Sequence, residues 1–127
     1  MRKLLAVVIV LAAMFTGCKK ITPNYTMEGK WTYPGNSQNT MYIYENGIRY
    51  TYYCTSGNCD SLYDTFQAGD TNALPGTNNY TFVNDTLTVD LNFGNELVTP
   101  ITFECDGGKA IFITPDYSLV KLSSGCN

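Results

Sequence analysis

Histidine is absent from the 127 residues, and with it go the Ser-His and Cys-His nucleophile pairs and every His-based zinc site. Charged residues are scarce, at 15% of the chain, which leaves too few Lys, Glu and Arg to coat long helices. No apolar run reaches the roughly 20 residues of a membrane-spanning helix. The longest, residues 4–15, holds twelve. Cations nearly vanish beyond Lys30, where Arg49, Lys109 and Lys121 face ten carboxylates and leave a net charge of −7. Such a surface repels phosphate backbones and argues against nucleic acid as a partner. Tyrosine and glycine are what the chain has in plenty, at ten and eleven positions. Aromatic strand formers among turn residues make an all-β protein.

The N-terminus carries an address. Arg2 and Lys3 precede the apolar run in the order of a secretory signal peptide. The run ends in Phe15-Thr16-Gly17-Cys18, which resembles the lipobox of bacterial lipoproteins. That resemblance implies cleavage after Gly17, so that residues 1–17 are a signal peptide and Cys18 becomes a lipidated N-terminus bearing acyl chains such as palmitate. Each buried CH₂ adds about 0.8 kcal/mol, so two or three chains hold a protein to a bilayer durably. Lys19 stands where an inner-membrane lipoprotein would have Asp. The resemblance therefore implies the outer membrane of a Gram-negative bacterium, on the periplasmic side or the cell surface. Residues 18–26, with Pro23, read as a lipidated tether, and residues 27–127 as one domain with one modest core.

Within that domain, Asn46-Gly47 between two aromatic runs is a strong hairpin signal. A two-residue turn there pairs Glu45 with Ile48, Ile43 with Tyr50 and Met41 with Tyr52. These side chains share one face, expected to be the inner one. Tyr42, Tyr44, Arg49, Thr51 and Tyr53 share the other. A second turn at Asn84-Asp85 pairs Phe82 with Leu87 and Tyr80 with Val89, and the opposite face is polar. Residues 97–105 and 109–114 form a third pair; a three-residue loop, the preferred one, places Ile101 and Phe103 with Ile111 and Ile113, and a two-residue loop sets Phe103 against Phe112 instead. Further strands are expected at residues 27–33, near 61–66 and at 118–122. The expectation is a small antiparallel meander barrel of eight or nine strands, with no helix after residue 17 and a long loop over residues 67–79. Its lumen should be mostly filled by side chains, with any pocket shallow and at the open end.

Gly29-Lys30-Trp31 at the start of the first strand is similar to the Gly-x-Trp motif of lipocalins. With the meander that follows, the domain resembles the lipocalin-like β-barrel domains of small bacterial lipoproteins. The resemblance implies that Trp31, with Gly29 beside it, plugs the closed end of the barrel under a cation from the last strands, Lys121 or Lys109. It departs from the family in lacking an Arg near the C-terminus, a Thr-Asp-Tyr turn motif and a following helix.

With Cys18 carrying lipid, Cys54, Cys59, Cys105 and Cys126 remain, an even number for an oxidising compartment. Four cysteines allow three pairings. The turn-prone tetrapeptide after Cys54 favours Cys54–Cys59, and the tail running back beside Lys109 favours Cys105–Cys126. The rival Cys₄ zinc site lacks C-x₂-C spacing. Asp60, Asp64 and Asp70 do not follow a calcium-loop pattern. The reading is thus a non-catalytic monomer without cofactor. It binds a small apolar or aromatic ligand at a shallow barrel mouth lined by Tyr50, Tyr52 and Tyr80. The alternative is a structural or interaction lipoprotein, for example a hydrolase inhibitor, acting through its loops and the tyrosines of its outer face (Tyr42, Tyr44, Tyr53).

Intact mass spectrometry of protein extracted from membranes should give residues 18–127 plus acyl-glyceryl groups. An unmodified soluble mass would reject lipidation at Cys18.

Overall fold

The computed structural model describes residues 24–71 and 76–127, so Cys18 and residues 1–23 lie outside the described part. Eight strands follow one another around a closed barrel. They are β1 (Gly29–Thr32), β2 (Thr40–Glu45), β3 (Ile48–Tyr53), β4 (Asn78–Val83), β5 (Thr86–Asp90), β6 (Glu96–Glu104), β7 (Lys109–Phe112) and β8 (Tyr117–Lys121). Every neighbouring pair is antiparallel, and β1 meets β8 through Trp31↔Lys121 and Thr32↔Val120. One short helix, α1 (Cys59–Thr65), interrupts the β3–β4 connection. No described helix is long and apolar enough to cross a membrane.

The two hairpin turns are as the sequence reads. Asn46 and Gly47 have φ of 50° and 78°, and Asn84 and Asp85 have 50° and 57°. This left-handed pair closes a two-residue hairpin in step with strand twist. Registers agree as well: Ile43 faces Tyr50, Met41 faces Tyr52, and Phe82 faces Leu87.

Three expectations fail, and one cause links two of them. Residues 61–66 are not a strand but lie largely in α1. Asn58 caps the helix, its side-chain oxygen accepting from the Ser61 amide at 3.1 Å. Asp60 sits in the first turn, where a carboxylate is favoured. Lys30 donates to the carbonyls of Tyr63 and Asp64 at the other end, at 3.2 and 2.9 Å. Cys59, Tyr63 and Phe66 project from one side of this segment. They need an apolar surface, and they find it on the outside of the barrel.

That surface is the face of β2 and β3 expected to point inwards. Met41, Ile43 and Tyr52 are buried there with Cys54, Tyr63 and Phe66, and Tyr50 packs against them. The Tyr52 ring stacks on Phe66 at 4.8 Å and its hydroxyl donates to the Gln67 carbonyl at 2.6 Å. Tyr44, in contrast, belongs to the lumen with Met27, Trp31, Tyr80, Leu87, Val89, Ile101, Ala110, Phe112 and Leu119. The first hairpin has the expected register and the opposite face.

The third miss is the β6–β7 loop. It holds four residues, 105–108, since Glu104 pairs with Lys109 and Phe103 with Ala110. The one-residue difference reverses β7. Ala110 and Phe112 enter the lumen, and Ile113 ends up 52% exposed.

Both disulfides form as expected, Cys54–Cys59 beneath the start of α1 and Cys105–Cys126 tying the C-terminal tail to the β6–β7 loop. Loop-closure entropy gives them about 2 and about 3 kcal/mol.

Ile43→Ala should cost about 2–5 kcal/mol in urea unfolding, the loss for a buried aliphatic side chain. The exposed Val83→Ala should stay within about 0.5 kcal/mol. Equal small effects would place the Ile43 face in solvent.

Candidate functional site: the open mouth of the barrel

The two ends of the barrel differ in chemistry. At the end where β1 begins, Trp31 is wholly buried and its indole N–H donates to the Met27 carbonyl at 2.8 Å. Lys121 Nζ stands 5.3 Å from the Trp31 ring centroid, a cation–π contact. Gly29 leaves the space for that lysine: with φ at +129°, a Cβ on it would lie 3.1 Å from Lys121 Cε. Tyr25 packs on Phe103 with ring centroids 5.6 Å apart, and its hydroxyl donates to Asp106 at 2.7 Å. Its ring covers Gly107, where a Cβ would run into it. Tyr25, inside the stretch read as tether, is thus packed against the barrel. Of the two candidate cations, Lys121 is the one over the indole.

The middle of the lumen is filled. Trp31, Tyr44, Leu87, Val89, Thr99, Ala110, Phe112 and Leu119 are all 0–1% exposed. A cleft of about 610 Å³ lies outside the barrel, between the start of α1 and the C-terminal tail.

The other end is aromatic, polar and cationic. Tyr33 and Tyr42 meet edge to face at 6.2 Å, with their hydroxyl oxygens 3.4 Å apart. Tyr117 lies 5.8 Å from Tyr33 and stacks on Phe112 at 4.2 Å. Arg49 enters from β3. Its guanidinium carbon is 4.9 Å from the Tyr42 centroid, and Nη2 donates to the Asn78 side-chain oxygen at 2.9 Å. Arg49 Nε is buried without a hydrogen-bond partner. Tyr33, Tyr42, Arg49, Asn78 and Tyr117 are all half-buried. They form a shallow cup over the filled lumen.

Electrostatics keep this cup a set of donors. Burial pushes the Tyr42 hydroxyl up to about 12, with the Tyr33 hydrogen bond adding to it and Arg49 opposing. Burial also takes Tyr44 to about 12, against the pull of Arg49. Tyr117 is raised by burial and by the neighbouring hydroxyls of Tyr44, Tyr33 and Tyr42. Tyr80 is raised by burial and by its hydrogen bond to Glu28, at 3.0 Å. These hydroxyls stay protonated across the physiological range. The cup offers one fixed positive charge, phenolic O–H groups and ring faces. Among the described residues no three metal-binding side chains cluster.

Of the residues expected to line the mouth, only Tyr80 is in the lumen, and it points towards Glu28 near the closed end. Tyr50 and Tyr52 are outside, beneath α1. Tyr33, Tyr42, Arg49 and Tyr117 take their place. The signal for them was α1: Asn58 as cap and apolar residues at 59, 63 and 66 require an apolar outer face on the adjacent strands.

The chain matches no family model, no curated protein and no solved structure.

Raised hydroxyls tie stability to alkaline pH. Tyr42 and Tyr44 ionise near 10 when unfolded and near 12 when folded. The unfolded state therefore loses protons first, and stability present below pH 10 falls between pH 10 and 12, by about 1.4 kcal/mol per unit for the buried Tyr44 and by less for the half-buried Tyr42. Urea unfolding at pH 9, 10 and 11 should show this decline, and Tyr44→Phe should make it shallower. A flat profile would place these hydroxyls in water.

Proposed function

We propose that this protein is a lipoprotein anchored through Cys18 to the outer membrane, whose lipocalin-like barrel binds a small aromatic ligand at its open mouth. The half-buried cup of Tyr33, Tyr42 and Tyr117 around Arg49 carries this reading. Aromatic rings with polar tips give stacking surface and directional hydrogen bonds together. The packed lumen beneath limits depth, so a flat ring suits the cup better than a long acyl chain. The mouth lies at the end away from Tyr25 and Met27, where the described chain enters the barrel. No step of bond making or breaking is part of the proposal, since the cup presents donors and a cation but no nucleophile or base.

A second reading, docking of a protein partner, has its own support. Phe93 in the β5–β6 turn is fully exposed at a φ of 55°, and Val98 and Ile113 are 54% and 52% exposed. A large aromatic side chain in the left-handed region, uncovered by its own chain, is the kind of feature found at interaction sites.

Titration with phenylacetamide, followed by amide NMR, should move the resonances of residues 33, 42, 49 and 117 saturably and leave residues 103 and 110 still. One-site micromolar binding of a fluorescent fatty acid, competed by plain fatty acid, would show instead a true cavity and overturn the shallow-mouth reading.

A further inference from the structure

Arg49 is the least explained residue in the lumen. Its neighbours among the described residues are an amide oxygen, ring faces and phenolic hydroxyls, with no carboxylate among them. The undescribed residues 1–23 and 72–75 contain no Asp or Glu either. The chain is rich in carboxylates, yet none meets this charge. A guanidinium carries five N–H donors in a planar fork suited to carboxylate. In this one, Nη2 is occupied by Asn78 and Nε is buried and unpaired. Buried donors are almost always paired, so an orphan on a charged group calls for an acceptor.

The surroundings fix what that acceptor must be. The hydroxyls of Tyr33, Tyr42 and Tyr44 converge on the same region, and burial holds Tyr42 and Tyr44 in the protonated, donating form. A second cation would be repelled and a neutral amide would leave the charge uncompensated. An oxyanion satisfies the guanidinium and gives the hydroxyls an acceptor. The ring of Tyr42 beneath Arg49, with Tyr33 and Tyr117 beside it, provides stacking surface at the same place.

We infer that the mouth recognises the carboxylate of a small aromatic acid, received by the half-buried Arg49 guanidinium and the adjacent tyrosine hydroxyls. This deepens the proposed function and rests on it. It assigns Arg49 as the residue that sets ligand specificity.

The test compares phenylacetate with phenylacetamide, which share shape and differ in charge. A hydrogen bond to a charged group is worth about 1.5–3 kcal/mol, so the acid should bind about 10- to 100-fold tighter than the amide. The chain has only two arginines, Arg2 and Arg49, so Arg49→Lys assigns the Arg49 Nε–H signal by its disappearance. That signal should shift on adding phenylacetate and stay in place with phenylacetamide. Arg49→Gln, checked for folding by circular dichroism, should bring the acid's affinity down to that of the amide. Equal binding of acid and amide by the native protein, or an Nε–H signal unmoved by a bound acid, would overturn the carboxylate assignment and leave the aromatic mouth standing. Absence of binding by either compound would overturn both.

Discussion

Closure of the barrel between β1 and β8 is the constraint on which the rest of the structure depends. β1 has four residues, pairs with β2 over all of them and with β8 over two. So short a seam holds because Trp31 lies on its inner side and reaches the closed end of the lumen. There Met27 accepts its N–H and Lys121 covers its ring. A cation–π contact of this kind contributes about 0.5–2 kcal/mol, and Gly29 leaves Lys121 the space to make it. Once Trp31 is inside, every other orientation follows around the ring. Tyr42 faces Trp31 across the β1–β2 pair and must be inside too. Arg49 then enters opposite Tyr44, Asn78 opposite Arg49, and Phe112 and Tyr117 complete the circle.

Barrel closure and the α1 layer are two halves of one arrangement. A strand pair whose inner face is tyrosine and arginine while its outer face is Met41, Ile43 and Tyr52 cannot leave the outer face in water. The β3–β4 connection supplies the cover, and the Cys54–Cys59 disulfide fastens the start of that cover to the end of β3. Lys30 joins the far end of α1 to the outer side of β1. Apolar burial is thereby split between lumen and outer layer. This lets a domain of about a hundred residues place polar groups at the mouth of its barrel and still build a core.

The eight strands, both hairpin turns and both disulfides were legible in the sequence, because each depends on local chemistry: Asn-Gly and Asn-Asp turns, alternation over five or six residues, and two cysteines separated by a turn. The further strand expected near residues 61–66 is α1. The second hairpin was read with its faces correct, since Thr81, Thr86, Thr88 and Asp90 mark the solvent side. The first hairpin had no such marker. Tyr, Met and Ile on one side and Tyr, Thr and Arg on the other can each be buried, and hydropathy alone ranks Met41 and Ile43 as the inner set. The choice is made by α1, a seven-residue helix too short to show a period, and by the β1–β2 register across a loop of seven residues. The β6–β7 loop failed for a related reason. Ile111 and Ile113 look more buriable than Ala110, but Phe112 decides the strand, and one added loop residue satisfies it.

The mouth follows from the same geometry. The polar face of the first hairpin, turned inwards, must end somewhere that hydroxyls and a guanidinium can find partners, and in a barrel this short that place is the open end. Among themselves the tyrosines reach a partial solution: Tyr33 and Tyr42 share a long hydrogen bond, and Tyr80 is taken by Glu28. Arg49 does not reach one. A buried unpaired donor costs about 1–3 kcal/mol, and more when the group is charged, whereas a neutral side chain such as Met at position 49 would pack on Tyr42 with no orphaned donor. Stability alone therefore gives no account of a guanidinium at this point in the lumen. An acceptor arriving from outside does. The affinity of the cup would then come from completing a hydrogen-bond set that folding leaves one member short.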